Sequence, residues 1–182
     1  MKNWEIQEEL GYCPGEVDFE DAKKVCEKLG ITLHRVDFVK EYWNNVFLEF
    51  LDGIKRGITP NPDIFCNKEI KFNALFNWVE QTLQTDYFAT GHYARIEELP
   101  KNEAHKTSSY RLKKAVDNSK DQTYFLSNIS ADVLSKTIFP VGSLLKSQVR
   151  KIAQDAGLST AKKKDSMGIC FIGKRNFKEF IG

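Results

Sequence analysis

Residues 19–38 read FEDAKKVCEKLGITLHRVDF and join a predicted helix to a predicted strand. Apolar side chains recur at helical spacing over residues 19–29, Gly30 supplies a stop, and ITLHRVDF has the composition of a strand. A helix followed by a strand is the repeating unit of an α/β fold. The pattern therefore predicts the α/β class and makes Cys26, on the apolar helical face, a packing residue.

The alternation continues along the chain. Apolar spacing predicts a second helix over residues 41–54, whose aromatic stripe belongs to the core, and a third over residues 68–83. DYFATGHYARI (86–96) predicts a buried strand that runs into a Gly-His loop, and SYRLKKAVD (109–117) predicts another strand. Two more helices are predicted over residues 130–139, with Ser130 as N-cap, and over residues 143–158.

The charge changes along the chain and suggests two units. The net charge is +2, but residues 133–182 hold ten Lys and Arg against three Asp and Glu. We expect an α/β domain over residues 1–126 and a small, basic, mostly helical domain over residues 127–182. Such a basic surface can bind phosphates, or it can be a solvated lysine face.

Composition excludes several classes of protein. An apolar content of 41% and a charged content of 29% are ordinary for a globular protein. No apolar run approaches the ~20 residues that span a bilayer, so no membrane partner is expected. The four cysteines form no CxxC pair, which favours a reducing compartment with individually used thiols.

TPNPDIFCNKEIKF, residues 59–72, is the first stretch that could carry chemistry. Pro60 and Pro62 stiffen a turn that presents Asp63 in a defined direction. Cys66 follows one turn later, near a helix start, where a thiolate is favoured. A carboxylate beside an activated thiol suits acid–base and nucleophilic catalysis; the alternative is an Asp cap with a buried Cys.

Three further stretches carry candidate residues. In KKKDSMGICFIGKRNF (162–177), Cys170 stands between glycines after a lysine run, as a reactive thiol or as a buried strand cysteine. ATGHYAR (89–95) places Gly91 and His92 at the carboxyl end of a strand, where α/β sheets bind ligands. The polar run Lys120, Asp121 and Gln122 has either a binding role or the role of a hinge or cap. Zinc ligation by Cys66, His92 and Cys170 is disfavoured, because no pair has the short spacing of a structural site.

In these stretches the chain resembles the tRNA-specific 2-thiouridylases. The resemblance covers essentially the whole chain through eight blocks in the family's order: MKNW, EDAKKVCEKLGI, KEYWNNVF, TPNPDIFCNKEIKF, ATGHYAR, KDQTYFLS, IFPVG and DSMGICFIGKRNF. The last block is more similar to the mitochondrial, animal-type branch than to the bacterial one. The resemblance implies a Rossmann-like, adenine nucleotide alpha hydrolase-like parallel sheet, here incomplete. It also implies a mitochondrial location, or a cytoplasmic one if the chain is bacterial.

The resemblance also implies an activity. The family uses ATP, with Mg²⁺, to adenylate O2 of the wobble uridine (position 34) of tRNA, and a cysteine persulfide then delivers sulfur to C2. Cys170 would carry the persulfide, supplied by an upstream sulfur-relay protein, and Cys66 would release the sulfur and close a transient disulfide with Cys170. Asp63 would be the acid/base.

Binding roles follow from the same resemblance. The target base, which must be unstacked for the chemistry, would be held by Asn61, Pro62 and Asp63. The nucleotide would lie against Met1 and Gly91. The tRNA would contact the four residues His92, Lys120, Asp121 and Gln122.

The chain departs from the family pattern at three places. It lacks the Ser-Gly-Gly-Val-Asp-Ser pyrophosphate loop and the carboxy-terminal β-barrel, and Leu145 replaces a helix-capping Thr. A free-standing chain of this kind is expected to be poorly stable or inactive. Two alternatives therefore stand beside the sulfurtransferase: a non-catalytic tRNA-binding fragment that has lost ATP binding, and a thiol redox protein or sulfur carrier.

Overall fold

The computed structural model describes residues 1–4, 14–100 and 109–165 of the 182-residue chain. The described residues form five helices. Two of them are long and change from α to π and back to α winding, and the other three are α-helical throughout. Helix α2 is built from contiguous α, π and α segments, and α3 has the same sequence of windings. The helices are α1 (Pro14–Leu29), α2 (Val39–Tyr42, Trp43–Phe47 and Leu48–Lys55), α3 (Pro62–Phe65, Cys66–Leu75 and Phe76–Leu83), α4 (Ala131–Ser135) and α5 (Lys146–Asp155).

Four strands form two small sheets. They are β1 (Phe88–Ala89), β2 (Ala94–Leu99), β3 (Ser109–Lys114) and β4 (Thr137–Ile138). Strands β1 and β4 pair in parallel, with Phe88 opposite Thr137, whereas β2 and β3 form an antiparallel ladder. A short 3₁₀ turn, Thr123–Leu126, follows the hairpin. The α/β class is thus confirmed, with a parallel pair at its centre.

The first helix behaves as predicted, but the strand after it does not. Gly30 ends α1 in the left-handed region with φ 65°, which glycine adopts without strain. In the stretch 31–38, only Asp37 pairs, in an isolated parallel bridge to Lys2. An extended segment forms a ladder only where a neighbouring segment supplies backbone hydrogen-bond donors and acceptors. Among the described residues, Lys2 supplies them, opposite Asp37 alone. The predicted strand is therefore wrong over most of its length.

The aromatic stripe of α2 is core, as its period predicts. Four of its side chains are buried in a cluster that also includes Phe38, Cys66 and Ile70: Tyr42, Val46, Phe47 and Phe50. Trp43 is the exception, being 46% exposed and stacked on Trp4 with ring centroids 5.6 Å apart. The turn before α3 packs closely on α2, because a Cβ on Gly53 would lie 2.8 Å from Pro60 Cγ.

The predicted helix over residues 130–139 is wrong in its second half. Ser130 does cap α4, accepting a 3.4 Å hydrogen bond from Val133 N–H, but the helix ends at Ser135. Thr137 and Ile138 then form β4. Both residues are β-branched, and pairing with β1 outweighs the helical pattern of the sequence.

A second core cluster joins the α/β elements to the following helix. It contains Phe72, Ala94, Leu126, Leu134 and Phe139, so buried side chains on both sides of residue 126 pack together. The boundary between domains at 126 and 127 stays a prediction.

The amino terminus of α5 is capped without the family's threonine. Leu145 offers no side-chain oxygen; instead its N–H donates to Gln148 Oε1 at 2.8 Å. The next N–H, that of Lys146, donates to Asp117 Oδ2 at 2.9 Å. A distant carboxylate and a residue within the helix thus satisfy two of the free helical N–H groups.

Candidate active site and RNA-facing surface

The turn before α3 is built as a helix start. Asn61 is the N-cap, and its Oδ1 accepts a 3.0 Å hydrogen bond from the N–H of Asp63. Pro62 occupies the first helical position, where its missing N–H is not needed, and is buried. The cap and the proline together fix the direction in which Asp63 leaves the helix.

Asp63 and Cys66 lie three residues apart on α3, on neighbouring positions of its surface. Burial raises the pKa of the Asp63 carboxyl, while the charge of Lys71 lowers it by a smaller amount. Cys66 is only 4% exposed, lies in the core cluster between α2 and α3, and is the first residue of the π segment. Single π turns often occur at functional sites. A substrate can reach the Cys66 thiol only if this packing opens.

The second part of the site is the carboxyl edge of the parallel pair. Thr90 N–H donates to the Ile138 carbonyl at 3.0 Å, so β1 and β4 end at the same edge. Gly91 is exposed there, and a Cβ added to it would meet nothing within 4 Å. This edge therefore offers open backbone of the kind that a nucleotide can approach.

His92 follows on this edge and is uncharged at neutral pH. Burial, with a smaller contribution from the charge of Lys71, lowers the pKa of the imidazole to about 4. Its Nδ1 lies 2.8 Å from Thr90 Oγ1, and its ring packs against Phe72 with centroids 5.6 Å apart. A neutral imidazole can give or accept one hydrogen bond but adds no charge for a phosphate.

Lys71 connects the two parts of the site and was missed in the sequence. Its charge lowers the pKa of both Asp63 and His92, and the ring of the next residue, Phe72, packs against His92, so we infer that α3 and the strand edge line a common region. The one available sequence signal was position: Lys71 stands about two turns beyond Asp63 on the same helix.

The three predicted tRNA contacts in the segment 120–122 have partners within the chain. Gln122 clamps Tyr93 by two 2.9 Å bonds, its N–H donating to the Tyr93 carbonyl and its Oε1 accepting from Tyr93 N–H. Asp121 Oδ1 accepts from Ala115 N–H at 2.8 Å. Lys120 Nζ lies 2.9 Å from Asp165 Oδ2. Their role toward tRNA stays a prediction.

Asn67, next to Cys66, ties α3 to this segment. Its side chain is buried, and Nδ2 donates a 2.9 Å hydrogen bond to the carbonyl of Phe125. Its Oδ1 is buried and has no hydrogen-bond partner among the described residues, and the same holds for the hydroxyl of Tyr93. Nothing in the sequence pattern distinguished Asn67 from other polar helix residues.

Two predicted features lie at or beyond the edges of what the structure describes. Cys170 lies outside the described residues, and so does its predicted disulfide with Cys66. Met1 is 44% exposed, next to the Lys2–Asp37 bridge.

Among the residues described, no group of three His, Cys, Asp or Glu side chains is arranged to hold a metal ion. Within the same ranges, no helix is long and apolar enough to cross a membrane.

Comparison with known proteins places this arrangement in a family. The family model described as tRNA methyl transferase HUP domain matches residues 1–174. The chain is 53% identical over 181 residues to a protein of Alkaliphilus oremlandii named tRNA-specific 2-thiouridylase MnmA, and 54% identical over 182 residues to the protein of that name from Shigella boydii. The corresponding Pasteurella multocida protein is 52% identical over 181 residues.

These alignments cover 100% of this chain but 48%, 48% and 45% of the three relatives. The chain thus spans about half the length of the curated relatives it matches.

The predicted Rossmann-like fold class is confirmed by the family match. From its match over residues 1–174, the chain belongs to the tRNA methyl transferase HUP domain family.

Proposed function

We propose that this chain takes part in ATP-dependent 2-thiolation of the wobble uridine of tRNA. The observation that carries the proposal is the identity of 52–54%, over the full chain, to proteins named tRNA-specific 2-thiouridylase. The arrangement of Asp63 and Cys66 on one turn of α3 supports it, because the reaction needs a proton-transfer group beside a sulfur nucleophile.

The proposed sulfur transfer balances over two cysteines and two substrates. O2 of uridine attacks the α-phosphorus of ATP, and pyrophosphate leaves. The terminal sulfur of a Cys170 persulfide then attacks C2, and AMP leaves with the former O2. The Cys66 thiolate attacks Cys170 Sγ, which breaks the S–S bond, leaves the sulfur on C2 and closes a Cys66–Cys170 disulfide. A dithiol reductant restores both thiols.

The residues of the described site have distinct parts in this proposal. Burial raises the pKa of the Asp63 carboxyl, which favours its role as a group that takes up and returns a proton. Asn61 and Pro62 hold the turn against which the flipped base would rest. Gly91, with open space beside its Cα, lets the nucleotide approach, with Met1 as a second contact. His92, Lys120, Asp121 and Gln122 would face the tRNA.

Cofactor, partner and location complete the proposal. Mg²⁺ would be held mainly by the ATP phosphates, as it commonly is in nucleotide sites. A sulfur-relay protein would load Cys170. The chain would belong to the mitochondrial, animal-type branch and act in mitochondria, or in the cytoplasm if it is bacterial.

The test is a chimaera in which this chain replaces the matching segment of the Shigella boydii relative. We expect 2-thiouridine in an unmodified tRNA transcript with ATP, a polysulfide as the donor of persulfide-level sulfur and a dithiol reductant, and none after Cys66→Ser or Cys170→Ser. Cys26→Ser, in α1, is the matched control and should leave activity in place. A chimaera that binds tRNA but never thiolates it would favour the RNA-binding alternative. Persulfide formation without any dependence on tRNA would favour a sulfur carrier.

A further inference from the structure

Three basic side chains, one before the 3₁₀ turn and two on α5, converge on one carboxylate. Asp165 lies 2.9 Å from Lys120 Nζ, 3.0 Å from Lys146 Nζ and 3.3 Å from a terminal guanidinium nitrogen of Arg150. We name these four residues the Asp165 cluster. Lys120 precedes the 3₁₀ turn, Lys146 and Arg150 lie on one face of α5, and Asp165 follows the loop after α5.

The position of Asp165 is fixed by Arg150. The guanidinium donates to the main-chain carbonyls of Ala161 at 2.9 Å and of Lys163 at 2.8 Å, in addition to its contact with Asp165. The fork of Arg150 thus holds the segment 161–165 against α5 and directs the carboxylate toward the two lysines.

Within the part of the chain that the structure describes, positive charge exceeds negative charge at the cluster. Three cations face the Asp165 carboxylate, and a second nearby carboxylate, that of Asp117, accepts hydrogen bonds from Lys146 N–H and from the N–H and hydroxyl of Ser119, which leaves one positive charge in excess. The hydrogen bonds from Lys120 and Lys146 lower the pKa of Asp165 to about 2, so it is charged throughout the physiological range. The Lys146 ammonium also lies 5.6 Å from the centre of the Tyr93 ring, whose backbone is clamped by Gln122.

The ion pairs of the cluster are accessible and exchangeable. Side-chain exposure is 39% for Lys120, 29% for Lys146, 36% for Arg150 and 41% for Asp165. Exposed pairs of this kind contribute little to folding and are screened by salt. A phosphodiester, like a carboxylate, offers two anionic oxygens that accept hydrogen bonds from Lys and Arg, and a polynucleotide brings several phosphates at once, so it can displace Asp165.

We propose that the Asp165 cluster is a binding site for the phosphate backbone of RNA, in which Asp165 occupies the place of a phosphate until RNA displaces it. The proposal rests on the proposed function for the identity of that RNA, the substrate tRNA. Within it, Asp165 is an internal competitor that weakens non-productive binding, while Lys120, Lys146 and Arg150 supply the attraction.

The test measures binding of an unmodified tRNA transcript to the 182-residue chain by fluorescence anisotropy at several KCl concentrations. Lys146→Gln should weaken binding by about threefold or more and reduce the slope of log affinity against log salt by about one. Asp165→Asn should tighten binding by about threefold, because it removes the competitor and its negative charge. The proposal thus predicts that the two substitutions change the affinity for the transcript in opposite directions.

Lys151→Gln is the matched control. Lys151 is the neighbour of Arg150 on α5, but its ammonium pairs with Asp155 at 3.0 Å rather than with Asp165. Its loss should change the affinity less than twofold. Melting curves accompany each variant, because a purely structural cluster would lower the Tm in both Lys146→Gln and Asp165→Asn and leave both affinities unchanged.

Several results would overturn the proposal. One is an equal affinity for the transcript in Lys146→Gln and Lys151→Gln, and another is weaker binding in Asp165→Asn. The others are a lack of binding of the transcript by the unaltered chain, and competition by polyglutamate that is as strong as competition by polyuridylate. The last would indicate an acidic polypeptide as the ligand. Since binding needs no sulfur chemistry, cluster-dependent binding without 2-thiouridine would overturn the proposed function alone.

Discussion

The side chain of Asn67 donates a 2.9 Å hydrogen bond to the carbonyl of Phe125, 58 residues away in sequence. The bond joins the helix that carries Cys66 to the turn that follows Lys120, Asp121 and Gln122. Asn67 is 2% exposed, so neither partner can exchange this bond for water at no cost. Any movement of the turn Thr123–Leu126 is therefore transmitted to the residue next to Cys66.

Asn67→Ala should destabilise the fold by about 1–2 kcal/mol, because it leaves the buried carbonyl of Phe125 without its donor. Asn67→Asp should destabilise it more, since a carboxylate would face that carbonyl. Urea unfolding measures both changes.

The control for Asn67 is Asn77→Ala on the same helix. Asn77 is exposed, and its Nδ2 bonds only to the nearby Asn73 Oδ1 at 2.9 Å. Its removal should change stability by less than about 0.5 kcal/mol. Equal losses at the two positions would mean that the bond between Asn67 and Phe125 contributes nothing specific.

The lowered pKa of His92 predicts that the fold loses stability in mild acid. Its pKa is about 4 in the fold against a usual 6.5, so the unfolded chain takes up this proton first as the pH falls. The contribution of the neutral His92 side chain to the free energy of unfolding is fully present above about pH 6.5. As the pH falls toward 4 this contribution is lost, and the free energy of unfolding decreases by about 3 kcal/mol in all. Urea unfolding across this range measures it. His92→Gln should flatten the profile between those limits, and an unchanged profile would show that His92 is not the responsible group.

Lys71 should act on Asp63 and His92 together. Removing its positive charge in Lys71→Gln favours the protonated form of each group, so the pKa values of both should rise. NMR titration of the Asp63 carboxyl carbon and the His92 ring protons measures the two shifts in one sample.

Lys68→Gln is the matched control for Lys71. The Lys68 ammonium, on the same π segment, pairs with Glu69 at 2.7 Å. Its loss should move neither titration. If only one of Asp63 and His92 responds to Lys71→Gln, the common region inferred for helix and strand edge does not exist.

The sequence was sufficient where a local period decides the outcome. The spacing of Tyr42, Val46 and Phe50 identified the buried face of α2, because a stripe at helical period must pack on something. It was insufficient at Thr137 and Ile138, where pairing with β1 determines the conformation. Only the fold decides such pairings.

The same limit applied to the site. The turn was predicted from Pro60 and Pro62, because prolines restrict the backbone locally, but its cap was not: the alternative interpretation gave that role to Asp63, and the structure gives it to Asn61. The π winding that begins at Cys66 has no local sequence rule here, and the packing of Phe72 against His92, beside Lys71, joins residues from different elements. Side chains that meet only through tertiary structure are therefore the ones that were missed.

The last prediction separates folding from nucleotide binding by adding one methyl group at two glycines. At Gly142 a Cβ would lie 1.6 Å from the carbonyl oxygen of Ala94, so the backbone itself must shift. Gly142→Ala should therefore destabilise the fold by about 3 kcal/mol or more, measured by urea unfolding.

Gly91→Ala is its counterpart, because a Cβ there meets nothing within 4 Å. Its stability should change by less than about 0.5 kcal/mol. In the Shigella boydii chimaera, the same substitution should raise the Kd for ATP by about tenfold, because the methyl group fills the space through which the nucleotide approaches the strand edge. Calorimetric titration with ATP measures this. An unchanged Kd would place the nucleotide away from Gly91, whereas a loss of stability equal to that of Gly142→Ala would mean that the open space beside Gly91 is not there.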